Sequence, residues 1–587
     1  MKYFLPLLFV AFAAARTLAS SSADFHTWAP TPPMGWNSWD CFGATVTEAQ
    51  TKAQADYMAA HLKSHGWTYI IVDIQWYEPG AQGHEYRKNA TLTMDAFGRL
   101  TPALNRFPSA ADGAGFKPLA DYVHSLGLKF GVHLMRGIPR QAVEKNLPVK
   151  GTPYHAADIA NRASICPWNP DMFGVDMSKP GAQAYYDSVF ALFASWGIDY
   201  VKVDDISRPY HDHEPEIEAI RRAIDASGRP IVLSLSPGET PLDAAAHVAA
   251  HANLWRISDD FWDRWLPLRE QFDRLAAWNR YRSPGAWPDA DMLPLGNLGQ
   301  RTTRFTPDEQ RTLLTLWSIA RSPLMHGGDL TKTDPATLAL LTNDEVLAVN
   351  QHSTNNRPLF HRDDLVAWTA DVPNSPDKYL AVFNARDRIP LTPANARYAG
   401  PAVTRTNPTA IDTDISGARQ LFLAVQPVDA TGEWNRILWR DPRVAFADGS
   451  ERPLTDLTWT HADAAWDSTT VKKDSAGRPI GIAAEIPAFV EYALPAGAVR
   501  FKATATVESN GRGHEPGPVR FLVVVTTPAD ERSPRAVSIP VTLAELGLAH
   551  GATVRDLWSH RDLGGSTGTF APEIPFHGAG LYRLSPR

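Results

Sequence analysis

Short apolar runs rich in β-branched residues alternate with longer helical patterns between about residues 30 and 345. The apolar runs predict eight strands, at residues 34–36, 69–73, 129–133, 200–204, 231–235, 254–257, 286–289 and 322–325. Amphipathic helical patterns lie between them, for example at 47–65, 116–126, 180–196 and 307–320. Strands that alternate with helices pair in parallel, and eight such repeats in about 300 residues favour a (β/α)8 TIM barrel. A doubly wound sheet is the alternative, but no glycine-rich phosphate loop follows the first strand.

Acidic residues stand at the ends of several predicted strands. They are Asp73, Asp204 with Asp205, Asp259 with Asp260, and Asp289 with Asp291. The carboxyl ends of barrel strands converge at one face, where enzymes with this fold have their active sites. Each Asp has an alternative role as the cap of the following helix. Because four strands end this way, with Lys202 and Arg256 beside them, we expect a functional site at this face.

The chain changes character after about residue 352, where short strands and turns rich in Pro and Gly replace the helical patterns. This texture predicts β-sandwich material. A strand at 379–384 is continued only at 537–541 and 554–558, which indicates an insertion between them. The predicted order is a signal peptide at 1–20, a catalytic barrel at 26–351, a C-terminal antiparallel β-sandwich at 352–396 plus 529–587, and an inserted β-rich module at 397–528.

The composition narrows the class of protein. Hydrophobic residues make up 44% and charged residues 21% of the 587 residues, which excludes a disordered, collagen-like or coiled-coil chain. A net charge of −7 without basic blocks argues against nucleic acid and anionic membranes as partners. The 19 Trp and 16 Tyr suit the apolar faces of sugars, although Trp is also a common core residue.

The N-terminus predicts export. Met1-Lys2-Tyr3 precedes an apolar run at 4–15 and small residues around Ala19, the pattern of a secretory signal peptide. The run is too short to span a bilayer comfortably, so we expect a secreted or periplasmic protein with no membrane attachment after cleavage. Cys41 and Cys166 can form at most one disulfide, and their spacing does not show whether they pair.

Four motifs in order along the chain resemble glycoside hydrolase family 27, which contains α-galactosidases and α-N-acetylgalactosaminidases. They are Thr31-Pro32-Pro33-Met34-Gly35-Trp36-Asn37-Ser38-Trp39, Lys202-Val203-Asp204, Trp255-Arg256-Ile257-Ser258-Asp259-Asp260 and Asp289-Ala290-Asp291-Met292-Leu293. The resemblance covers roughly residues 30–351, and the segment 554–584 is similar to the family's C-terminal sandwich. Pieces of the insertion, at 414–421 and 492–497, are similar to a candidate carbohydrate-binding module of related glycosidases.

The resemblance implies a retaining exo-glycosidase that removes terminal α-galactosyl residues from oligo- or polysaccharides. Such enzymes hold two carboxyl groups about 5–5.5 Å apart on either side of the scissile bond. Asp204 matches the nucleophile and Asp260 the acid/base, while Asp205 and Asp259 are left as supporting or capping residues. The residues that match sugar contacts are Trp39, Asp73, His133, Lys202, Ser236, Arg256 and Asp291.

Three positions depart from the family pattern. Ile74 stands where members usually have a second Asp, which removes one partner for the 4- and 6-hydroxyls of the sugar. His133 replaces the usual Tyr, and Ser236 replaces a Glu that is frequent in α-galactosidases. A small Ser leaves room for a 2-substituent, and Ile74 suits a sugar without the exocyclic carbon. A β-L-arabinopyranosidase and an α-N-acetylgalactosaminidase are therefore the alternatives.

Other functions are less well supported. The His211-x-His213 pair indicates a solvated polar loop rather than a metal site, no Gly-x-Ser-x-Gly elbow occurs, and we expect neither metal nor cofactor. A non-catalytic carbohydrate-binding protein is the contrasting hypothesis, because barrels persist without catalysis. The presence of both Asp204 and Asp260 favours an enzyme. The inserted module is either a sugar binder or a spacer that packs on the barrel.

Overall fold

A computed structural model describes residues 24–587 apart from 388, 390, 430–431, 433–434, 510–515 and 527–535. Eight parallel strands form its central sheet, as predicted: β1 Met34–Asn37, β2 Tyr69–Val72, β3 Lys129–Met135, β4 Tyr200–Asp204, β5 Val232–Leu235, β6 Leu254–Arg256, β7 Trp287–Asp289 and β8 Leu324–His326. Almost every residue of these strands is buried, since helices cover the outside of the sheet and side chains fill its inside.

The sheet runs in the order β7-β6-β5-β4-β3-β2-β1-β8. Its two ends approach each other through Leu293, which follows β7 and pairs in parallel with His326 of β8. The prediction of a TIM barrel is confirmed. The register places Met135 of β3 opposite Asp204 of β4, so that the ends of neighbouring strands reach the same face.

Twelve α-helices accompany these strands in the described part of the chain. They are α1 Trp39–Phe42, α2 Glu48–His61, α3 Lys117–Ser125, α4 Arg140–Glu144, α5 Ala156–Ile159, α6 Ala182–Trp196, α7 Tyr210–Ser227, α8 Ala245–His251, α9 Trp265–Trp278, α10 Pro307–Ala320, α11 Pro335–Leu341 and α12 Asp344–His352. Short antiparallel strands at Ile138–Pro139, Ala160–Asn161 and Met172–Val175 lie in the connection between β3 and β4.

The prediction of a solvated loop around His211 and His213 is wrong. Both residues lie in the first turns of α7, and His213 is buried with its Nδ1 3.2 Å from the carbonyl oxygen of Ile206. Burial is the main reason that the pKa of His213 falls to about 4, with the positive charge of Arg136 adding to the shift. The residue is therefore a neutral, partly satisfied side chain of the barrel.

An antiparallel β-sandwich follows the barrel, as predicted. Its main sheet has six strands in the order Thr354–Arg362, Leu365–Asp371, Lys378–Asn384, Ala579–Pro586, Ala552–Asp556 and Arg561–Ser566. Two short pairs lie apart from it: Val537–Ser538 with Glu573–Ile574, and Val541–Thr542 with Thr569–Phe570. Strands distant in sequence therefore become neighbours, because Lys378–Asn384 pairs directly with Ala579–Pro586.

A separate nine-stranded antiparallel sheet lies within residues 398–526. Its strands are Tyr398–Val403, Thr409–Asp414, Gln420–Pro427, Arg436–Phe446, Glu451–Pro453, His461–Lys473, Pro479–Ala493, Ala498–Glu508 and Val519–Thr526. They surround their own apolar core, in which Trp439 is fully buried. All nine strands fall inside the range predicted for the insertion, 397–528, while the boundaries themselves stay a prediction.

The inserted sheet touches the barrel at the start of α9. Asp463, on the strand His461–Lys473, is buried there; one carboxylate oxygen accepts a 3.4 Å hydrogen bond from the backbone N–H of Leu266 and the other lies 3.9 Å from Arg264. The module therefore packs against the segment that leaves β6. Sugar binding by the module stays a prediction.

The predicted signal peptide, residues 1–20, lies outside the described residues. Within the described part of the chain, no helix combines the length and apolar character needed to cross a membrane. Both cysteines, Cys41 and Cys166, are buried and unpaired in the structure.

Candidate active site

The carboxyl ends of the barrel strands open into a cavity of about 1420 Å³. Acidic and basic side chains from the ends of β2, β4, β6 and β7 meet in it, as the sequence pattern predicts for this face of the fold. Its walls include Trp39, Asp73, Ile74, Tyr86, Lys202, Asp204, Arg256, Asp260, Trp262 and Asp291. A cavity of this size accommodates more than one sugar ring.

Asp204 ends β4 and is surrounded by donors. Lys202 Nζ lies 3.9 Å from its Oδ1, and His133 Nε2 lies 2.9 Å from its Oδ2. Ser236, just beyond β5, donates a hydrogen bond to Oδ1. Burial opposes ionisation, but Lys202, His133 and the hydrogen bonds outweigh it and hold the pKa of Asp204 well below its ordinary value. The group is a carboxylate across the whole physiological range.

His133 and Ser236 lie behind Asp204 rather than on the cavity wall. Both are fully buried, and neither is among the residues that line the cavity. Their described contacts in the site are with Asp204. Direct contact of these two side chains with a sugar stays a prediction.

Asp260 follows β6 and has the opposite electrostatic character. Arg256 donates a 3.0 Å hydrogen bond to its Oδ1 and also lies 2.9 Å from Asp291 Oδ1. Burial is the largest influence on Asp260 and, with the negative charges of Asp259 and Asp291, raises its pKa to about 6 despite Arg256. A carboxyl group in this range exchanges protons readily near neutral pH.

Asp291 is held in place from two sides. Its Oδ1 faces Arg256, and its Oδ2 accepts a 2.7 Å hydrogen bond from the backbone N–H of Phe261. Its backbone adopts a left-handed conformation with φ of 83°, which Asp tolerates better than most residues. Asp291 therefore connects the end of β7 to the loop that carries Asp260.

Asp73 and Lys202 form an ion pair in the cavity. Lys202 Nζ lies 2.9 Å from Asp73 Oδ2, which also accepts a 2.7 Å hydrogen bond from Asn37. The neighbouring Ile74 also lines the cavity, although only 1% of its surface is exposed. This wall therefore has one carboxylate and one apolar side chain.

Aromatic side chains form an apolar wall of the cavity, in contrast to the charged residues described above. The rings of Trp39 and Tyr86 are stacked, with centroids 5.9 Å apart and planes inclined by 16°. Tyr86 also contacts Trp168, at a centroid distance of 5.6 Å. Such stacked rings offer a flat surface to the C–H face of a sugar.

The other Asp of each pair, Asp205 beside Asp204 and Asp259 beside Asp260, is engaged in an ion pair. Arg136 donates to Asp205 Oδ2 over 2.7 Å, and Arg208 donates to Asp259 Oδ2 over 2.8 Å. Asp205 also has a positive φ of 59°, so the chain leaves the strand geometry at this residue. These contacts agree with a supporting role for Asp205 and Asp259.

Sequence reasoning missed several residues of the cavity. Asp40, on α1, is buried with an Oδ2 atom that has no hydrogen-bond partner among the described residues. Burial, together with the negative charges of Asp291 and Asp263, raises the pKa of Asp40 well above its ordinary value. Tyr86 and His84 lie in a long connection whose sequence carries no periodic signal.

One group of side chains in the cavity has the ligand types of a metal site. Oxygen and nitrogen atoms of Asp73, His133 and Asp204 lie within 4.8 Å of one another. The ammonium group of Lys202 lies 2.9 Å from Asp73 and 3.9 Å from Asp204, so it already supplies a positive charge to both carboxylates. We assign these residues to the carboxylate site rather than to an ion.

Two family profiles match the chain. One, described as alpha galactosidase A, matches residues 170–352, and the other, described as the alpha galactosidase C-terminal beta sandwich domain, matches residues 520–584. Alpha-galactosidase 2 of Arabidopsis thaliana is 30% identical over 372 residues, which cover 62% of this chain and 79% of that protein.

Solved structures match over almost the whole chain. A GH27 β-L-arabinopyranosidase from Geobacillus stearothermophilus, in complex with arabinose, is 40% identical with a TM-score of 0.69, covering 96% of this chain and 99% of that one. A candidate α-N-acetylgalactosaminidase from Bacillus halodurans C-125 is 37% identical with a TM-score of 0.63, covering 95% and 97%.

Proposed function

This chain belongs to glycoside hydrolase family 27 and is a glycoside hydrolase, and we propose that it removes terminal α-galactosyl residues with retention of configuration. The observation that carries the proposal is the pair Asp204 and Asp260, two carboxyl groups in one cavity with pKa values displaced in opposite directions. Double displacement needs one carboxyl group that stays ionised and one that exchanges a proton, and the opposite pKa displacements support this assignment.

Asp204 acts as the nucleophile. Its carboxylate attacks the anomeric carbon, and the bond to the leaving-group oxygen breaks as Asp260 transfers its proton to that oxygen. The product of this step is a glycosyl ester of Asp204. In the second step Asp260, now a carboxylate, removes a proton from water, which attacks the anomeric carbon and releases Asp204. The two inversions together retain the configuration.

The remaining polar groups position the sugar and the carboxylates. Asp73, Lys202, Arg256 and Asp291 bind hydroxyl groups of the glycone, and Trp39 stacks on its apolar face together with Tyr86. His133 and Ser236 act on the sugar indirectly, because they hold Asp204 ionised and oriented. The substrate is an oligosaccharide or polysaccharide with such a terminal sugar.

A second candidate activity is that of a β-L-arabinopyranosidase. The observation that favours it is Ile74, an apolar side chain on the cavity wall beside Asp73, where a second carboxylate would bind the exocyclic hydroxyl of galactose. β-L-Arabinopyranose has the ring configuration of α-galactose and lacks the exocyclic carbon. The 40% identity with the β-L-arabinopyranosidase from Geobacillus stearothermophilus supports the same candidate.

A panel of aryl glycosides tests both activities. The panel contains α-galactoside, β-L-arabinopyranoside, α-N-acetylgalactosaminide and α-glucoside, and NMR records the anomer that is released first. We expect turnover of the first or second substrate with retention, and its loss in Asp204→Asn and Asp260→Asn. Asp212→Asn, which alters an exposed carboxylate at the cavity rim, is the matched control. Inversion, or full activity of Asp204→Asn, would contradict the proposal.

We also propose that the protein is exported, on the signal-peptide pattern of its first 20 residues. Mass spectrometry of the protein recovered from the native host tests this. The expected mature chain begins close to residue 21, whereas a chain that keeps its apolar run in the cytoplasm would contradict export.

A further inference from the structure

A cluster of metal-ligand side chains lies outside the cavity, between α7 and α8. Glu218 belongs to α7, while His247 and His251 stand four residues apart on α8 and share one helix face. One ligand atom of each residue lies within 4.8 Å of the others, and none of the three lines the cavity. The two imidazole rings are 4.3 Å apart between centroids.

Hydrogen bonds leave one particular nitrogen of each ring available. His251 Nδ1 lies 2.7 Å from the carbonyl oxygen of His247, which only accepts, so this nitrogen carries the proton and Nε2 keeps a lone pair. His247 Nδ1 lies 2.8 Å from the hydroxyl of Tyr210. Histidines that bind metals are commonly oriented in this way, with one nitrogen fixed by a neighbouring oxygen.

One nitrogen of the His247 imidazole is buried and makes no hydrogen bond to the described residues. This atom is Nε2, which is covered from solvent. A buried polar atom without a hydrogen bond is unfavourable in a folded protein, so its presence needs an explanation.

The carboxylate of Glu218 completes the set. Arg222 donates a 3.1 Å hydrogen bond to Oε2, which leaves Oε1 directed at His247, 3.6 Å from Nε2. That separation is longer than an ordinary hydrogen bond. It is close to the distance of about 3.3–3.4 Å between two ligand atoms on a tetrahedral zinc ion. The Glu218 side chain is 43% exposed, so an ion can enter from solvent.

From these contacts we propose that Glu218, His247 and His251 form a site for a divalent transition metal, with Zn²⁺ as the best-matched ion. Two imidazole nitrogens and one carboxylate oxygen suit zinc rather than the all-oxygen sites of Mg²⁺ and Ca²⁺. Water completes the coordination. The ion joins two helices on the outside of the barrel, α7, which follows β4, and α8, which follows β5. Because the site lies outside the cavity, we expect the ion to affect the stability of the protein rather than the reaction.

Zinc titration of the full chain tests the site. The protein is first treated with a chelator and dialysed, and binding is then measured by calorimetry and by the visible spectrum of Co²⁺ as a substitute ion. We expect one equivalent of Zn²⁺, and affinity at least about 100-fold lower in His247→Gln and in His251→Gln. At a hundredfold excess over Kd, zinc should raise the melting temperature of the wild type by about 2–4 °C and leave both variants unchanged.

His211→Gln is the matched control, because His211 is an exposed histidine of α7 that also contacts carboxylates, Glu214 and Asp243. Its zinc affinity should equal that of the wild type. If a His variant fails to fold, as judged by its glycosidase activity, Glu218→Gln at the half-exposed carboxylate carries the test. Absence of saturable zinc binding, or unchanged binding in the His variants, would overturn the proposal.

Discussion

Ser236 donates a hydrogen bond from its hydroxyl group to Oδ1 of Asp204, so the segment after β5 supports the carboxylate at the end of β4. The contact assigns a role to a residue whose side chain does not reach the cavity. His133 Nε2 lies 2.9 Å from the other carboxylate oxygen, and Lys202 Nζ lies 3.9 Å from Oδ1. The charge of the proposed nucleophile is thus set by Lys202 on its own strand and by His133 and Ser236 from the two neighbouring strands.

Ser236→Ala should lower kcat/KM by about 10- to 100-fold, the value of one hydrogen bond to a charged group. Loss of the donor raises the pKa of Asp204, so the acidic limb of the pH profile moves to higher pH. A pH series of kcat/KM measures both effects. Ser234→Ala, a buried serine two residues earlier on β5, is the control. Equal decreases of kcat/KM in the two variants would show that lost packing, rather than the hydrogen bond to Asp204, causes the effect.

Asp259→Asn should move the basic limb of the pH profile to lower pH. The negative charge of Asp259 contributes to the raised pKa of Asp260, about 6, so its removal makes the proposed acid ionise earlier. We expect the wild type to lose activity as pH rises through about 6, the pKa of Asp260, and the variant to lose it at lower pH. A disaccharide substrate is suitable, since its poor leaving group needs protonation. An unchanged basic limb would assign it to another residue.

Ile74→Asp should change the preference between glycones. A second carboxylate beside Asp73 binds the exocyclic hydroxyl of galactose and is left buried and unpaired when arabinopyranose is bound. We expect the ratio of kcat/KM for α-galactoside to that for β-L-arabinopyranoside to rise by about 10-fold or more. The ratio does not depend on the folded fraction. Ile74→Asn is the control, because Asn has the shape of Asp without its charge. An unchanged ratio of kcat/KM in Ile74→Asp would exclude this wall as a determinant of the preference between the two sugars.

Asp463→Asn should stabilise the protein at neutral pH. Burial is the main cause that raises the pKa of Asp463 to about 6 in the folded state, so the folded protein prefers the protonated group. Stability therefore falls as pH rises from about 4 to about 6, by up to about 3 kcal/mol. The Asn side chain does not ionise, so this loss of stability disappears, and its carbonyl oxygen can still accept the hydrogen bond from the backbone N–H of Leu266. Melting temperatures should differ at pH 7.5 and agree near pH 4, whereas a lower melting temperature for the variant at pH 7.5 would show that the carboxylate is favourable.

The eight barrel strands could be predicted because each is an apolar run buried on both faces. The start of α7 could not, since its inward face is polar. Tyr210, His213 and Glu216 are buried there, and Glu216 is satisfied by Arg136 from β3's end. Periodicity counts apolar residues, so a helix face buried through ion pairs gives no such signal.

The residues of the site likewise divide into those that the sequence predicts and those that it does not. Asp73, Asp204 and Asp260 could be found because they end strands or follow them directly, and strand ends converge in this fold. Tyr86 belongs to a long irregular connection, and its place against Trp39 depends on packing between distant segments. The engagement of Ser236 with Asp204 likewise depends on the geometry of two neighbouring strands, which no local pattern encodes.

The inserted sheet begins and ends on adjacent strands, with Tyr398 opposite Val523 in register. When the inserted sheet folds first, it holds the two sequence segments of the sandwich close together, and Lys378–Asn384 can then pair with Ala579–Pro586. The flexible chain between Asn384 and Ala579 is then shorter by about two thirds, which lowers the entropic cost of closing this loop by about 1 kcal/mol. The folded insertion thus keeps the two segments of the sandwich close together. A variant in which the insertion is unfolded should therefore also show slower refolding of the sandwich.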